Sequence, residues 1–217
     1  MLRATDLKGT SAAAATKALA RLASKGVLTR VGKGLYYAPK DTLLGKSKPS
    51  PGAIARKTLE GKSRPTGTTA ANLLGLSTQV SARPELVAFT SHRPKLETSA
   101  RIRLRRGARS LRLPELEAAL LELLRDRGQF VEAEPNEAFR RLSQTFGDNA
   151  RPGRLRGLRD AALEEPPRVR AMLGALLSWM KLPESLWEPL KESLNPISKF
   201  DFGLFRELPN AREWQAR

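Results

Sequence analysis

Cysteine is absent from this chain of 217 residues, and histidine occurs once, at His92. The first absence excludes disulfide bridges and thiolate metal sites. A single histidine without cysteine also argues against a catalytic triad or a zinc centre. Two carboxylate pairs, Glu132/Glu134 and Glu164/Glu165, could hold a metal for nuclease chemistry, but neither has a lysine nearby in a strand. We therefore expect no enzymatic activity, no catalytic residues, no metal and no cofactor.

Long apolar runs are missing as well. No stretch approaches the roughly 18 consecutive apolar residues that would span a bilayer. The N-terminus also lacks the apolar segment of a signal peptide. Hydrophobic residues still make up 40% of the chain, which is enough for a packed core. These features predict a cytoplasmic protein with no membrane partner.

Acidic residues are scarce in the first half of the chain. Residues 1–112 contain 23 Lys and Arg against 5 Asp and Glu, whereas residues 113–217 contain 16 against 17. The formal net charge of +17 therefore comes from the first half. Such a field favours a polyanionic partner through phosphate contacts and counterion release. The alternative is a merely soluble basic surface or the arginine usage of a GC-rich genome, but arginine usage alone should be spread over both halves.

A basic helix followed by a cationic hairpin is predicted near the N-terminus. Thr10 or Ser11 can cap a helix that runs to about Lys25 and is stopped by the next glycine. The apolar positions of this helix follow the i, i+3, i+4, i+7 spacing of one buried face. A short strand, a Gly-Lys-Gly turn and a return strand ending at Tyr37 come next. This order is typical of a winged helix-turn-helix, which we place at residues 1–40.

The whole chain predicts a mainly α fold with a little β-structure, of the α+β class. A basic α/β region is expected at 41–112, beginning with a linker rich in Lys, Ser, Pro and Gly, and a helical C-terminal domain at 113–217. The aromatic side chains after residue 195 should pack back on the body. The predicted strands are 27–31, 35–37, 86–90 and 101–105, and the predicted helices are 11–25, 51–60, 67–75, 115–127, 134–146, 150–163, 167–180 and 184–193.

The cations of the predicted helix and hairpin favour contact with double-stranded DNA. Lys17, Arg21 and Lys25 follow one another at four-residue spacing, and small residues at the N-terminal end allow close approach to a groove. An ordinary solvated helix would carry the same stripe, but the adjoining cationic hairpin favours the DNA interpretation. The candidate DNA-binding residues are Thr10, Ser11, Ala14, Lys17, Arg21, Lys25, Arg30 and Lys33.

Arginine recurs along residues 101–109, where five occur in nine positions. Because alternate residues of a strand share one face, this run predicts a second basic surface. Such a surface could bind phosphates or meet an acidic partner, and the sequence favours neither. Its candidate residues are Arg101, Arg103, Arg105 and Arg106.

The sequence resembles AbiEi-family proteins, the antitoxins of bacterial type IV toxin–antitoxin systems, over roughly residues 5–106. The segment 65–80 is the distinctive part of this resemblance, because generic winged helices do not carry it. The second half resembles family members only loosely. The other matching positions are 18–37, Leu44-Gly45, Pro49 and Ile54-Ala55, and in the second half Phe200-Asp-Phe-Gly203 and Leu208-Pro209.

This resemblance implies a transcriptional repressor that binds inverted repeats in its own promoter. The helix 11–25 would be its recognition helix, and Arg30 and Lys33 its wing contacts. The resemblance also implies a nucleotidyltransferase toxin as functional partner, which the antitoxin opposes without a stable complex. A homodimer on DNA is left open. The alternative function is a non-enzymatic interaction module that binds RNA or an acidic protein through the basic half.

The segment ahead of the predicted recognition helix departs from the family pattern. Family members usually have another helix before the position of Asp6, whereas five residues precede Asp6 here. Either the start is placed too late, or the winged helix has a short or missing first helix. In the second case part of the apolar face of helix 11–25 would be left for another chain or for the C-terminal domain to cover.

Overall fold

The structure is a computed structural model that describes residues 1–43, 45–79, 81–90, 99–105, 112–148 and 152–217. Helices account for 49% of it and the strands form small sheets, so the fold is mixed α+β as expected. The strands are β1 (Thr29–Gly32), β2 (Leu35–Tyr37), β3 (Asp41–Thr42), β4 (Gly45–Lys46), β5 (Ser63–Pro65), β6 (Glu85–Ala88) and β7 (Arg101–Leu104). The helices are α1 (Ala12–Ser24), α2 (Pro51–Thr58), α3 (Gly67–Leu73), α4 (Glu115–Arg125), α5 (Pro135–Ser143), α6 (Pro152–Ala162), α7 (Pro167–Trp179) and α8 (Glu188–Glu192).

Helix α1 is defined by its two ends. The hydroxyl of Ser11 accepts a hydrogen bond from the amide of Ala14 (3.3 Å), which caps the first turn. Gly26 has a φ of 73°, a left-handed conformation that glycine adopts without strain, and it ends the helix. The buried side of α1 carries Ala15 and Leu19. The predicted helix is therefore confirmed to within one residue at each end.

The β1–β2 hairpin is antiparallel, and its turn uses the positive φ of Gly34. Strand β1 begins at Thr29, two residues later than predicted. The amides of Val27 and Leu28 instead donate to the carbonyl of Leu22 (3.0 and 3.3 Å). These bonds satisfy the last turn of α1, so both residues belong to the helix end rather than to the strand.

Residues 2–7 pair with this hairpin and cover α1. Leu2 and Tyr36 exchange backbone hydrogen bonds of 2.7 and 2.9 Å on the edge of β2 opposite β1. Residues 2–7 therefore cover part of the apolar face of α1 from within the chain. Leu22 and Val27, at the end of α1, stay exposed. The packed side chains are Leu2, Ala4, Leu7, Leu19, Ala23, Leu28 and Tyr36.

The central sheet has the strand order β5–β6–β7. Strand β6 pairs antiparallel with β5 and parallel with β7. The sequence predicted β6 and β7 but missed β5, because a three-residue strand containing Pro65 has no readable alternation. The predicted linker after residue 40 holds a further antiparallel pair, β3–β4. Each of its strands has two residues, which is too short for any periodic pattern.

The largest hydrophobic core lies around α4 and α7. Leu120, Leu124 and Leu173 are fully buried in it. Helix α3 contributes Ala70 and Ala71 to the same core, which therefore extends across the expected boundary at residue 112. The domain boundaries themselves stay predictions.

Helices of the second half differ from prediction mainly at their ends. Helix α5 stops at Ser143 and continues as a π-helical turn, Gln144–Asp148. The predicted helix 184–193 is split into a 3-10 turn, Glu184–Leu186, and α8. Pro189 explains part of this split, because it cannot donate a hydrogen bond to the preceding turn.

The tail packs back on the body, as its aromatic residues predicted. Phe202, Phe205 and Trp214 are buried. The Trp214 indole donates to the hydroxyl of Ser178 (3.1 Å). Gly174 of α7 makes this packing possible, because a Cβ at that position would overlap the Trp214 ring.

Replacing Gly174 with Ala should lower the free energy of unfolding by about 2 kcal/mol or more, since the added methyl group overpacks a closed core. Chemical denaturation monitored by tryptophan fluorescence measures the change. Gly153→Ala on α6 is the matched control: a Cβ there meets nothing within 4 Å. The control should be neutral or stabilising by up to about 1 kcal/mol through helix propensity. Equal stability of the two variants would contradict the close packing of Trp214.

Candidate nucleic-acid interface

The exposed face of α1 combines cations with small side chains. Lys17 and Arg21 are both exposed and are one helical turn apart. Ala13 and Ala20 lie on the same side and are also exposed, so no bulky group stands between the cations. Thr10, Ser11 and Ala14 are exposed at the start of the helix. This face is smooth enough to enter a groove about 12 Å wide, such as the major groove of B-DNA.

The remaining candidate DNA-binding residues follow α1 along the chain. Lys25 is the C-cap of α1, Arg30 lies on β1, and Lys33 lies in the turn of the hairpin. All three are exposed. The Arg30 Nε donates to the carbonyl of Gly32 (3.4 Å), which leaves its terminal nitrogens available. The structure therefore places every candidate in this set on the surface.

The sequence around α1 and its hairpin is free of acidic residues. Residues 7–40 contain seven Lys and Arg and no Asp or Glu. Within the described ranges, no carboxylate from elsewhere lies within 4 Å of Lys17, Arg21, Lys25 or Lys33. Their charges are left for solvent and counterions, which a polyanion would displace.

A set of polar contacts fixes the N-terminal segment against α2. The Arg3 guanidinium pairs with Glu60 and donates to the carbonyls of Lys57 and Thr58 (3.1 and 3.2 Å). The Asp6 carboxylate accepts from the Lys57 ammonium group (3.0 Å). This hydrogen bond lowers the pKa of Asp6, and a bond from the Arg3 amide adds to the effect. The segment that braces α1 is thus anchored to the central region, which no sequence pattern indicated.

The arginines of β7 face carboxylates of the same chain. Arg101 pairs with Glu85 of β6 (3.0 Å), and Arg103 pairs with Asp126 at the end of α4 (3.2 Å). Arg105 pairs with the buried Glu122 of α4, which also accepts from the Thr66 hydroxyl (3.2 Å). Both predicted roles of this surface, phosphate binding and contact with an acidic partner, remain predictions, and either would have to compete with these pairs. Arg106 lies outside the described residues.

Burial raises the pKa of Glu122, while the guanidinium groups of Arg105 and Arg125 oppose that rise. The carboxylate is 2% exposed. It depends on these cations for its charge, because an ionised carboxylate in an apolar interior is costly unless it is paired. The acidic residues that meet β7 were missed from the sequence because two of the three lie in the other half of the chain.

Two of the four carboxylates considered for nuclease chemistry bind groups of the same chain. Glu132 accepts from the hydroxyl of Ser77 and the amide of Thr78 (both 2.9 Å), and Glu165 pairs with Arg125. His92 lies outside the described residues. Among the residues that the structure describes, no cluster of three or more His, Cys, Asp or Glu could hold a metal ion. In that same part of the chain, no helix combines the length and apolarity that crossing a membrane requires.

Comparisons with known proteins define the fold but not the function. Residues 2–99, less than half of the chain, match the model of DUF6088, described as a family of unknown function. None of the curated proteins matches the sequence. The fold is similar to the crystal structure of the RV2827C protein from Mycobacterium tuberculosis, with a TM-score of 0.50 and 15% identity over 88% of this chain and 72% of that one. At this identity the similarity concerns the fold alone.

Arg105→Gln should lower the free energy of unfolding by about 3 kcal/mol, because the buried carboxylate of Glu122 loses its closest cation. Arg103→Gln, two residues earlier on β7, is the control. Its ion pair is more exposed, so the loss should stay below about 1 kcal/mol. Urea denaturation of both variants measures the difference. A larger loss for Arg103→Gln would contradict the assignment of the main contact to Arg105 and Glu122.

Proposed function

We propose that this protein is a DNA-binding transcriptional regulator with an N-terminal winged helix-turn-helix. In this proposal α1 is the recognition helix and the β1–β2 hairpin is the wing. The observation that carries it is the exposed, unneutralised set of cations on α1 and its hairpin, in a stretch that has no acidic residue. Such a surface suits the closely spaced charges of a nucleic-acid backbone.

The arrangement of the first 37 residues supports the winged-helix interpretation. Leu2 pairs with one edge of β2 and β1 with the other, which gives a two-stranded hairpin extended by a single β-bridge beside a helix. The 3-10 turn Ala4–Asp6 precedes α1, as a short helix does in a helix-turn-helix. Arg3 and Asp6 also bind Lys57 of α2. Together these contacts would hold α1 and the wing in one orientation.

In the proposed complex α1 enters the major groove. Its N-terminal residues, including Thr10 and Ala14, would face base edges, while Lys17 and Arg21 neutralise phosphates. Arg30 and Lys33 would then reach the backbone beside the neighbouring minor groove. The phosphate contacts supply affinity, whereas the contacts to base edges and the fixed orientation of α1 supply specificity.

The double variant Lys17→Gln/Arg21→Gln should weaken DNA binding and make it less dependent on salt. Each lost phosphate contact lowers the slope of log K against log salt by about 0.9, so two contacts lower it by about 1.8. Fluorescence-anisotropy titrations at several salt concentrations, with a duplex from the protein's own upstream region, measure this slope.

The control is Lys181→Gln/Arg212→Gln, which removes one exposed lysine and one exposed arginine from the other half of the chain. It has the same net charge as the test variant, so it separates local contact from bulk attraction. Equal losses in both variants would reject α1 as the contact. Tighter binding to RNA than to duplex DNA would favour an RNA-binding module instead.

We further propose that the regulator is an antitoxin of the type IV class. This step rests on the sequence resemblance alone, with the segment 65–80 as its distinctive part. The protein would repress its own operon at inverted repeats, as a homodimer if each α1 reads one half-site. It would oppose a nucleotidyltransferase toxin without forming a stable complex with it.

Expression of a nucleotidyltransferase-like gene next to this one should arrest growth, and co-expression of this protein should restore it. Size-exclusion chromatography of the two purified proteins should give separate peaks, because the proposed antagonism needs no stable complex. Absence of rescue would reject the antitoxin role while leaving DNA binding intact. A single co-eluting peak would contradict the proposed mode of antagonism.

A further inference from the structure

The β3–β4 hairpin projects from the chain directly after β2. Its strands pair Asp41 with Lys46 and Thr42 with Gly45. The Thr42 hydroxyl donates to the carbonyl of Gly45 (2.6 Å), and this hydrogen bond links β3 to β4 at the turn. Every described residue from 40 to 46 is exposed, so the hairpin buries none of them against the body.

Ser47 fixes the base of this hairpin. Its hydroxyl accepts from the amide of Lys40 (2.8 Å) and lies 2.8 Å from the hydroxyl of Tyr37 at the end of β2. Its amide donates to the carbonyl of Lys40 (2.8 Å). The base of the β3–β4 hairpin is therefore attached to the β1–β2 hairpin.

Three lysines surround the hairpin. Lys40, Lys46 and Lys48 are exposed, and none has a carboxylate within 4 Å among the described residues. Asp41 lies opposite Lys46 in the strand register, yet the Asp41 carboxylate and the Lys46 ammonium group are not within 4 Å of each other. Lys40 already belongs to the cationic surface of residues 7–40, and the segment extends that surface by two more charges, Lys46 and Lys48.

Leu43 lies at the turn and is fully exposed. It is the most exposed large apolar side chain in the part of the chain that the structure describes. Single exposed leucines are common on protein surfaces. A leucine at the end of a projection flanked by lysines is a more specific arrangement, because minor-groove binders combine basic side chains with apolar ones that they frequently insert between base steps.

We propose that the β3–β4 hairpin is a second DNA-contacting element, in which Leu43 enters the minor groove and Lys40, Lys46 and Lys48 neutralise phosphates along its edges. The inference rests on the proposed DNA-binding function and adds a contact that the helix and wing do not provide. The minor groove, about 6 Å wide, accepts a side chain at the turn of a hairpin, while α1 occupies the wider major groove.

The absence of cysteine allows a direct test. Leu43→Cys provides a single thiol in the whole chain, which can be labelled with an iron–EDTA reagent that cleaves nearby DNA through hydroxyl radicals. On a duplex from the upstream region, the labelled protein should cut at a few adjacent positions on both strands. The matched control is Ile197→Cys, which labels another exposed apolar residue in the other half. The control should give no localised cuts.

The outcomes separate this inference from the function on which it rests. If the unlabelled wild-type protein does not shift the duplex in a gel, DNA binding itself fails. If the labelled Leu43→Cys protein shifts the duplex but cuts no more than the Ile197→Cys control, the hairpin contact is rejected and DNA binding stands. Localised cuts for both labels would likewise reject a specific hairpin contact.

A second measurement concerns the lysines. The triple variant Lys40→Gln/Lys46→Gln/Lys48→Gln should lower the salt slope of binding by about 2.7, from about 0.9 for each phosphate contact. The control Lys62→Gln/Lys181→Gln/Lys199→Gln removes the same charge from exposed positions elsewhere. Equal slopes for the two triple variants would overturn the proposed phosphate contacts. A second contrary outcome has two parts: the triple variant keeps the wild-type salt slope for DNA binding, and the wild type binds anionic lipid vesicles. That outcome would assign the hairpin to a membrane surface instead.

Discussion

Helix α4 connects the main core to the arginines on and just after β7. Its apolar side builds the main core with α7 and α3, and its carboxylates meet the arginines of β7. The pair between Arg105 and Glu122 links these two sides of α4, because the Glu122 side chain is buried and Arg105 directly follows β7. The helix and its C-cap therefore pair with Arg103 and Arg105, whereas among the described residues the cations of 7–40 form no ion pair. Residues 7–40 thus hold seven positive charges that no acidic residue of the same stretch offsets.

Residues 2–7 pack beneath the surface formed by α1 and its hairpin. The cluster beneath α1 is small, and it depends on Leu2 and Leu7 to cover Leu19. Arg3 and Asp6 then connect the same segment to α2. The orientation of α1 relative to the body is thus set by side chains outside the helix and hairpin. A regulator that reads base edges needs such a fixed orientation, because a small misplacement breaks several hydrogen bonds together.

Sequence alone predicted the features that depend on neighbouring residues. The cap at Ser11, the glycine stop and the amphipathic spacing of α1 are local, so its bounds could be read to within a residue. The packing of residues 2–7 over α1 could not be predicted, because Leu2 and Tyr36 are joined by backbone hydrogen bonds, which leave no pattern in the side chains. The arginine run at β7 was visible, but its acidic partners lie elsewhere in the chain. The strands β3, β4 and β5 are too short to show periodicity.

The unneutralised cations have opposite effects on folding and on binding. Seven like charges within residues 7–40 repel one another, and the small cluster under α1 must offset that repulsion in the free protein. A polyanion that binds the folded surface removes the repulsion and shifts the folding equilibrium toward the native state. The same residues would then link the stability of the N-terminal unit to occupancy of the proposed site. Salt, which screens both the repulsion and the attraction, should therefore stabilise the free unit while it weakens the complex.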